Sequence, residues 1–187
     1  MSIPTIRVNR EEMRTRVALF SEIKGYSGGL PDSNYPSAER ILYSVIGFQP
    51  PEGDSTSVTS PVGDLAAQNA AIKINEGFNL GFCEAAPGKG PMMHNHDTNE
   101  TFMPITGRWR CSWEVDDRVE SFELGPRDVI SFPPGVQRRF GNITHEEPNN
   151  THWLLFVVAG NAPKAEFSPE SMAELGEKGY LDAGGAQ

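Results

Sequence analysis

Two histidines and a glutamate carry the densest chemistry in this chain. His94 and His96 stand two apart within the stretch from Gly88 to Gly107, so in an extended segment both imidazoles project from one face. Glu100, four residues after His96, can return a carboxylate from the next strand. Two neutral imidazoles and a carboxylate converging on one point suit a divalent transition metal. As a facial set with open positions they suit non-haem Fe(II) first, with manganese, nickel or zinc as the other ions. The competing reading of the same residues is a pair of surface histidines flanking a polar turn.

The wider spacing separates the two readings. Gly88, His94, His96, Glu100 and Gly107 resemble, interval for interval, the first signature motif of the cupin superfamily. Further along, Asp128, Pro133, Gly135 and Asn142 resemble the second motif of that superfamily. Two positions depart from it. Arg138 stands where the family places a histidine as fourth metal ligand, and Arg127 stands where a glycine commonly precedes the aspartate. The resemblance covers residues 88–142. It implies an all-β fold, an antiparallel jelly-roll β-barrel, and metal-dependent chemistry on a small organic substrate, with that of an oxygenase as the leading expectation. Homodimers are also implied, with barrel faces or N-terminal strands exchanged, for which the apolar segment Ile41 to Phe48 is a candidate.

Arg138 needs an account of its own, because a guanidinium 4 Å from a divalent cation is repelled by ~4 kcal/mol per unit charge at an effective dielectric near 20. In one reading His94, His96 and Glu100 hold the ion, and Arg138 swings aside to grip an anionic group on the substrate, a task that suits its planar fork. In a second, Arg138 pairs with Glu100 in place of an ion. That leaves a non-enzymatic ligand-binding site, or a metal-free isomerase or epimerase with a histidine as base. In a third, His145 or His152 completes the ligand sphere. Trp109 and Phe140, with Trp113 and Phe102, are either an aromatic wall of a substrate pocket or ordinary core.

The elements that must position these residues follow from pattern. The 187 residues suffice for one domain with a sizeable core. We divide it into an extension over 1–66, a barrel over 67–162 and a C-terminal helix and tail over 163–187. A mean hydropathy of -0.43 and the lack of any apolar run near the ~20 residues of a membrane span argue against membrane insertion. The start lacks the apolar core of a secretory signal, which points to the cytoplasm. Sixteen Lys and Arg against 25 Asp and Glu give a net charge of -9, and an acidic chain without a basic stripe argues against nucleic acid. Cys83 and Cys111 read as buried free thiols.

Met13, Val17, Phe20 and Lys24 recur at helical spacing, which predicts a helix over 9–24, capped by Asn9 with Glu12 in a capping box and ended by Gly25. A loop follows to Ser37, then a strand over 41–49 and a long polar loop over 50–64, a candidate lid or a plain connector. Short strands are predicted over 70–74, 78–84, 100–106, 108–115, 119–124, 129–132, 138–143 and 152–159. A terminal helix opens at Ser168-Pro169-Glu170 and closes at Gly179. Alternation turns Trp109, Cys111, Trp113 and Val115 inward, and likewise Arg138, Phe140 and Asn142, with Arg139 and Gly141 outward.

Overall fold

Period-two burial runs through most of the strands and decides how they stack. In the computed structural model, which describes residues 2–48, 58–63 and 65–181, the strands in chain order are β1 (Ile41–Ile46), β2 (Val58–Thr59), β3 (Phe78–Ala85), β4 (His94–His96), β5 (Glu100–Pro104), β6 (Trp109–Val115), β7 (Arg118–Leu124), β8 (Ile130–Phe132), β9 (Arg138–Asn142), β10 (His152–Ala159) and β11 (Ala165–Phe167). The strands form two antiparallel sheets, one in the order β1-β3-β10-β5-β8 and one in the order β2-β11-β4-β9-β6-β7. No ladder joins the two sheets among the described residues. The barrel implied by the sequence is therefore a jelly roll closed by packing and not by hydrogen bonds.

The core lies between the sheets. Phe102, Leu154, Phe156 and Val158 from the first sheet meet Trp109, Cys111, Leu124 and Phe140 from the second, all buried. Side chains of this kind contribute on the order of 2 kcal/mol each by leaving water. The alternation predicted for β9 holds: Arg138, Phe140 and Asn142 are buried, Arg139 is exposed and Gly141 half-buried. In β6, Trp109 and Cys111 are fully buried, while Trp113 and Val115 sit half-buried toward the strand's end. Cys83 and Cys111 are buried free thiols, each pushed up to about 12 chiefly by burial.

The N-terminal helix is shorter than its periodicity predicts. Helix α1 covers only Arg10–Arg14, although its capping box forms as expected, with the Asn9 side chain accepting from the Glu12 N–H at 2.9 Å and Glu12 accepting from the Asn9 N–H at 2.7 Å. Its would-be apolar face has nothing to pack on, since Met13 and Val17 are over 40% exposed, and an isolated short helix is marginal in water. Phe20 instead turns onto the outer face of the first sheet, against Tyr43, Phe82 and Trp153 at ring separations of 5.4, 5.9 and 5.2 Å. Gly25 is thus not a helix end.

Three further expectations change. Residues 70–74 are not a strand, apart from one bridge between Ile72 and Ile46, and a short helix, α2 (Leu65–Asn69), precedes them. Residues 58–63 of the expected long loop supply β2 and bury Val62 in the core, while 49–57 and 64 lie outside the described residues. β11 was not anticipated. It leads into α3 (Pro169–Glu177), which Ser168 caps as expected by accepting from the Ser171 N–H at 3.1 Å, and which packs Leu175 against Met92 and Phe167. No helix among the described residues is long and apolar enough to cross a membrane.

Candidate metal centre

The two sheets bring the triad together from opposite sides. His94 and His96 are the first and last residues of β4, with burial alternating across Asn95, so both rings enter the interior. Glu100 begins β5 on the facing sheet, and Arg138 begins β9 directly opposite His94 in the ladder. One ligand atom from each of His94, His96 and Glu100 lies within 4.8 Å of the other two. All three residues are buried, and Arg138 is wholly so.

The backbone around them is tied by the residues of both motifs. The Gly135 N–H donates to the His96 carbonyl at 2.8 Å, and Gly135 holds a φ of 80° that favours glycine. Asn142 accepts at its own carbonyl from the Gly88 N–H (2.7 Å) and donates its N–H to Lys89 (2.9 Å), while its side chain donates to Ala85 and accepts from the Thr144 N–H. Gly107, at φ 70°, admits His152 and Thr144 so closely that an added Cβ would lie 2.5 Å from the imidazole. Asp128 closes the β7–β8 turn by accepting from the Gly125 N–H at 2.8 Å.

Arg138 is committed to Glu100. Its Nε and Nη2 donate to the same carboxylate oxygen, Oε2, at 3.1 and 2.9 Å, and Nη1 donates to the Val136 carbonyl at 3.1 Å. The fork is therefore turned on the glutamate and not aside toward a substrate, the arrangement of the second reading above. Glu100 Oε1 is the oxygen that Arg138 leaves unengaged. Burial pushes the Glu100 carboxyl above its usual range, and the charge and hydrogen bonds of Arg138 act against that push. Burial also pulls the His94 imidazole down to about 4, with Arg138 adding to it, and pulls His96 well below its ordinary value, helped by Arg138 and His94. Both rings are neutral at pH 7, the state a metal ligand needs.

The residues fit a divalent ion. Among the described residues both ring nitrogens of His96 are buried with no hydrogen-bond partner, and its Nε2 stands 3.5 Å from Glu100 Oε2. An unsatisfied buried nitrogen costs about 1–3 kcal/mol, and an ion between the rings and the carboxylate would remove the deficit at one of them. His94 donates through Nδ1 to the Met92 carbonyl at 2.8 Å, which leaves Nε2 as its lone-pair atom.

A cavity of about 30 Å³ opens beside the cluster, lined by His94, Glu100 and Arg40 and by apolar side chains that include Phe140, Phe156 and Phe167. Phe140 thus lies on the cavity, 4.8 Å from the Phe102 ring. Trp109 does not line it. The indole sits in the core with its Nε1–H given to the Thr106 carbonyl at 3.0 Å, because β6 lies one strand further than β9 from the histidine strand. His145 is exposed and His152 is buried beside Glu147, and neither joins the triad.

Arg40 and its partner Asp32 were not found by sequence reasoning. Arg40 grips both oxygens of Asp32, at 3.0 and 3.2 Å, and the pair is buried. An aspartate in a glycine- and proline-rich loop reads as a turn residue, and nothing in local spacing links it to a histidine 62 positions away.

A two-sheet jelly roll with a histidine and carboxylate cluster between its sheets defines a class of protein, and the comparisons agree with it. A family model described as a cupin domain matches residues 81–157. Among solved structures, the chain is similar to the oxalate decarboxylase of Lactobacillus farciminis in a formate complex (TM-score 0.52, 11% identity, 82% of this chain and 36% of that one). It is also similar to the vicilin of Solanum melongena (0.52, 14%, 86% and 36%) and to an oxalate oxidase (0.50, 14%, 81% and 69%). The chain spans 35% of the length of the similar vicilin from Corylus avellana. At such identities these likenesses show the fold alone. No curated protein sequence matches the chain. The family match places a cupin domain at residues 81–157.

Proposed function

We propose that this cupin is a metal-dependent enzyme acting on a small anionic organic molecule, as a non-haem oxygenase, with Fe(II) held by His94, His96 and Glu100. The observation that carries the reading is the buried triad, with its ligand atoms within 4.8 Å of one another and the His96 nitrogens without partners. A bound ion of this kind would supply Lewis acidity and open coordination positions for substrate or dioxygen. The chain's own residues do the rest. Arg138 steadies the Glu100 carboxylate and favours its ionised form. Phe140, Phe156 and Phe167 keep bulk water from the cavity. The buried cations Arg138 and Arg40 are offset by the buried carboxylates Glu100 and Asp32, so a divalent ion leaves the interior with two uncompensated positive charges. An anionic ligand answers that excess.

Elemental analysis after anaerobic reconstitution with Fe(II) tests the metal. Near-stoichiometric iron that is lost in His96→Ala, with oxygen consumption on a panel of small carboxylates and diketones, is the expected result. Iron-free protein without oxygen consumption sinks the reading.

The Arg138 to Glu100 pair favours a second reading, a metal-free cupin that binds a small ligand without turnover. It expects thermal stabilisation by the ligand in metal-free protein. Its isomerase variant needs a histidine base, and His94, pulled down to about 4, is a weak one.

A further inference from the structure

We propose that Asp32, held by Arg40, is the positioning residue that sets the tautomer and aim of His94. His94 Nδ1 lies 2.8 Å from the Met92 carbonyl. A carbonyl only accepts, so this bond requires the proton on Nδ1 and leaves the lone pair on Nε2 as the nitrogen free to act as a ligand. Met92 lies outside the strands, two residues before β4 begins. Its position there is set by a side chain, since its own N–H donates to Asp32 Oδ2 at 3.0 Å.

Asp32 can hold that amide because it is itself held. Its side chain is fully buried, and Arg40, 6% exposed, meets both of its oxygens. Arg40 is anchored in turn by donating to the Ala38 carbonyl at 2.7 Å. The sequence of contacts runs Arg40, Asp32, Met92, His94, and Arg40 also lines the cavity into which His94 faces. Groups that orient a ligating histidine from behind tune a metal site as strongly as many ligands do. The pair lies in a segment remote from both signature motifs and joins them only in three dimensions.

The test uses Asp32→Asn, which keeps the size but places an N–H toward donors on Met92 or Arg40. The first readout is nitrogen-15 NMR of the His94 imidazole in metal-free protein, which reports the tautomer without reference to any ion. The second is the zinc Kd from competition with a chromophoric chelator; this arm alone rests on the metal-binding reading. The wild type is expected to show a pure Nδ1-protonated His94. Asp32→Asn is expected to show mixed tautomers and zinc binding about 10–100-fold weaker.

A tautomer unchanged in Asp32→Asn, or a wild type protonated on Nε2, overturns the proposal. Tautomer mixing in the variant of a protein that takes up no zinc supports the positioning role and removes the metal reading, so the two failures are distinct. Should Asp32→Asn not fold, Arg40→Lys, which loses the two-pronged grip, is read in the same way. Leu124→Ala, a core truncation on β7, must leave the tautomer pure. An equal shift there reduces the effect to general loosening and also overturns the proposal.

Discussion

Replacing Arg138 with methionine removes the only cation that reaches Glu100 among the described residues, and the outcome follows from how deeply both are placed. The arginine side chain is fully buried and the glutamate side chain is 5% exposed, with two donors on one oxygen at 2.9 and 3.1 Å. Breaking such a pair from one side leaves a charge in a medium that does not solvate it, at about 3–5 kcal/mol. Arg138→Met in metal-free protein is therefore expected to lose that much at pH 8, read by urea unfolding. The loss shrinks as the pH falls, because Glu100, already raised by burial and now without its counter-charge, takes up a proton. In Arg138→Met/Glu100→Gln no charge is stranded, and the double variant is expected to recover about 2 kcal/mol relative to the single one. A divalent ion should stabilise Arg138→Met more than the wild type, since it restores the missing positive charge and meets no repulsion. A single variant that loses under about 1 kcal/mol, or a double variant no more stable than the single, refutes this reasoning.

The remaining expectations are narrower. For His94, whose pKa falls from 6.5 to about 4, the unfolded chain binds a proton below pH 6.5 that the folded one refuses. Stability of metal-free protein thus falls as pH drops through that window, by about 2 kcal/mol between 6.5 and 5. His94→Asn should remove that share of the loss and leave the share from His96, which is lowered in the same direction, while Glu100, shifted upward, contributes with the opposite sign and favours lower pH. Arg127 holds a φ of 77° where a glycine would be unstrained, so Arg127→Gly should raise stability by up to about 1 kcal/mol in thermal denaturation. Gly107→Ala combines a strained φ with a Cβ 2.5 Å from His152 and should destabilise by about 3 kcal/mol or prevent folding.

The strands around the site were legible because their code is local. Burial alternates every two residues in β3, β9 and β10, and the inward placement of Arg138 could be read from parity alone. The N-terminal region was less so. The helical period in 9–24 is real in the sequence, but a helix forms only where its apolar face finds a partner. Here the partner of Phe20 is a sheet surface built by Tyr43, Phe82 and Trp153. The strand expected over 70–74 failed for a like reason, since Ile46 offers Ile72 a single bridge and no ladder.

The sequence by itself determined the residue types at the centre and their order. His94 and His96 must share a face because a strand repeats every two residues, and the glycines at 107 and 135 are required by backbone angles that other residues hold only under strain. What only the tertiary structure decided is which charges meet. Arg138 could have faced a substrate or Glu100, and its side chain chose the carboxylate once two sheets closed over both and left no water to solvate either. Asp32 lies 62 residues before His94 and is joined to it through Met92, a contact that no local period encodes because it is made by a loop folded back on the site.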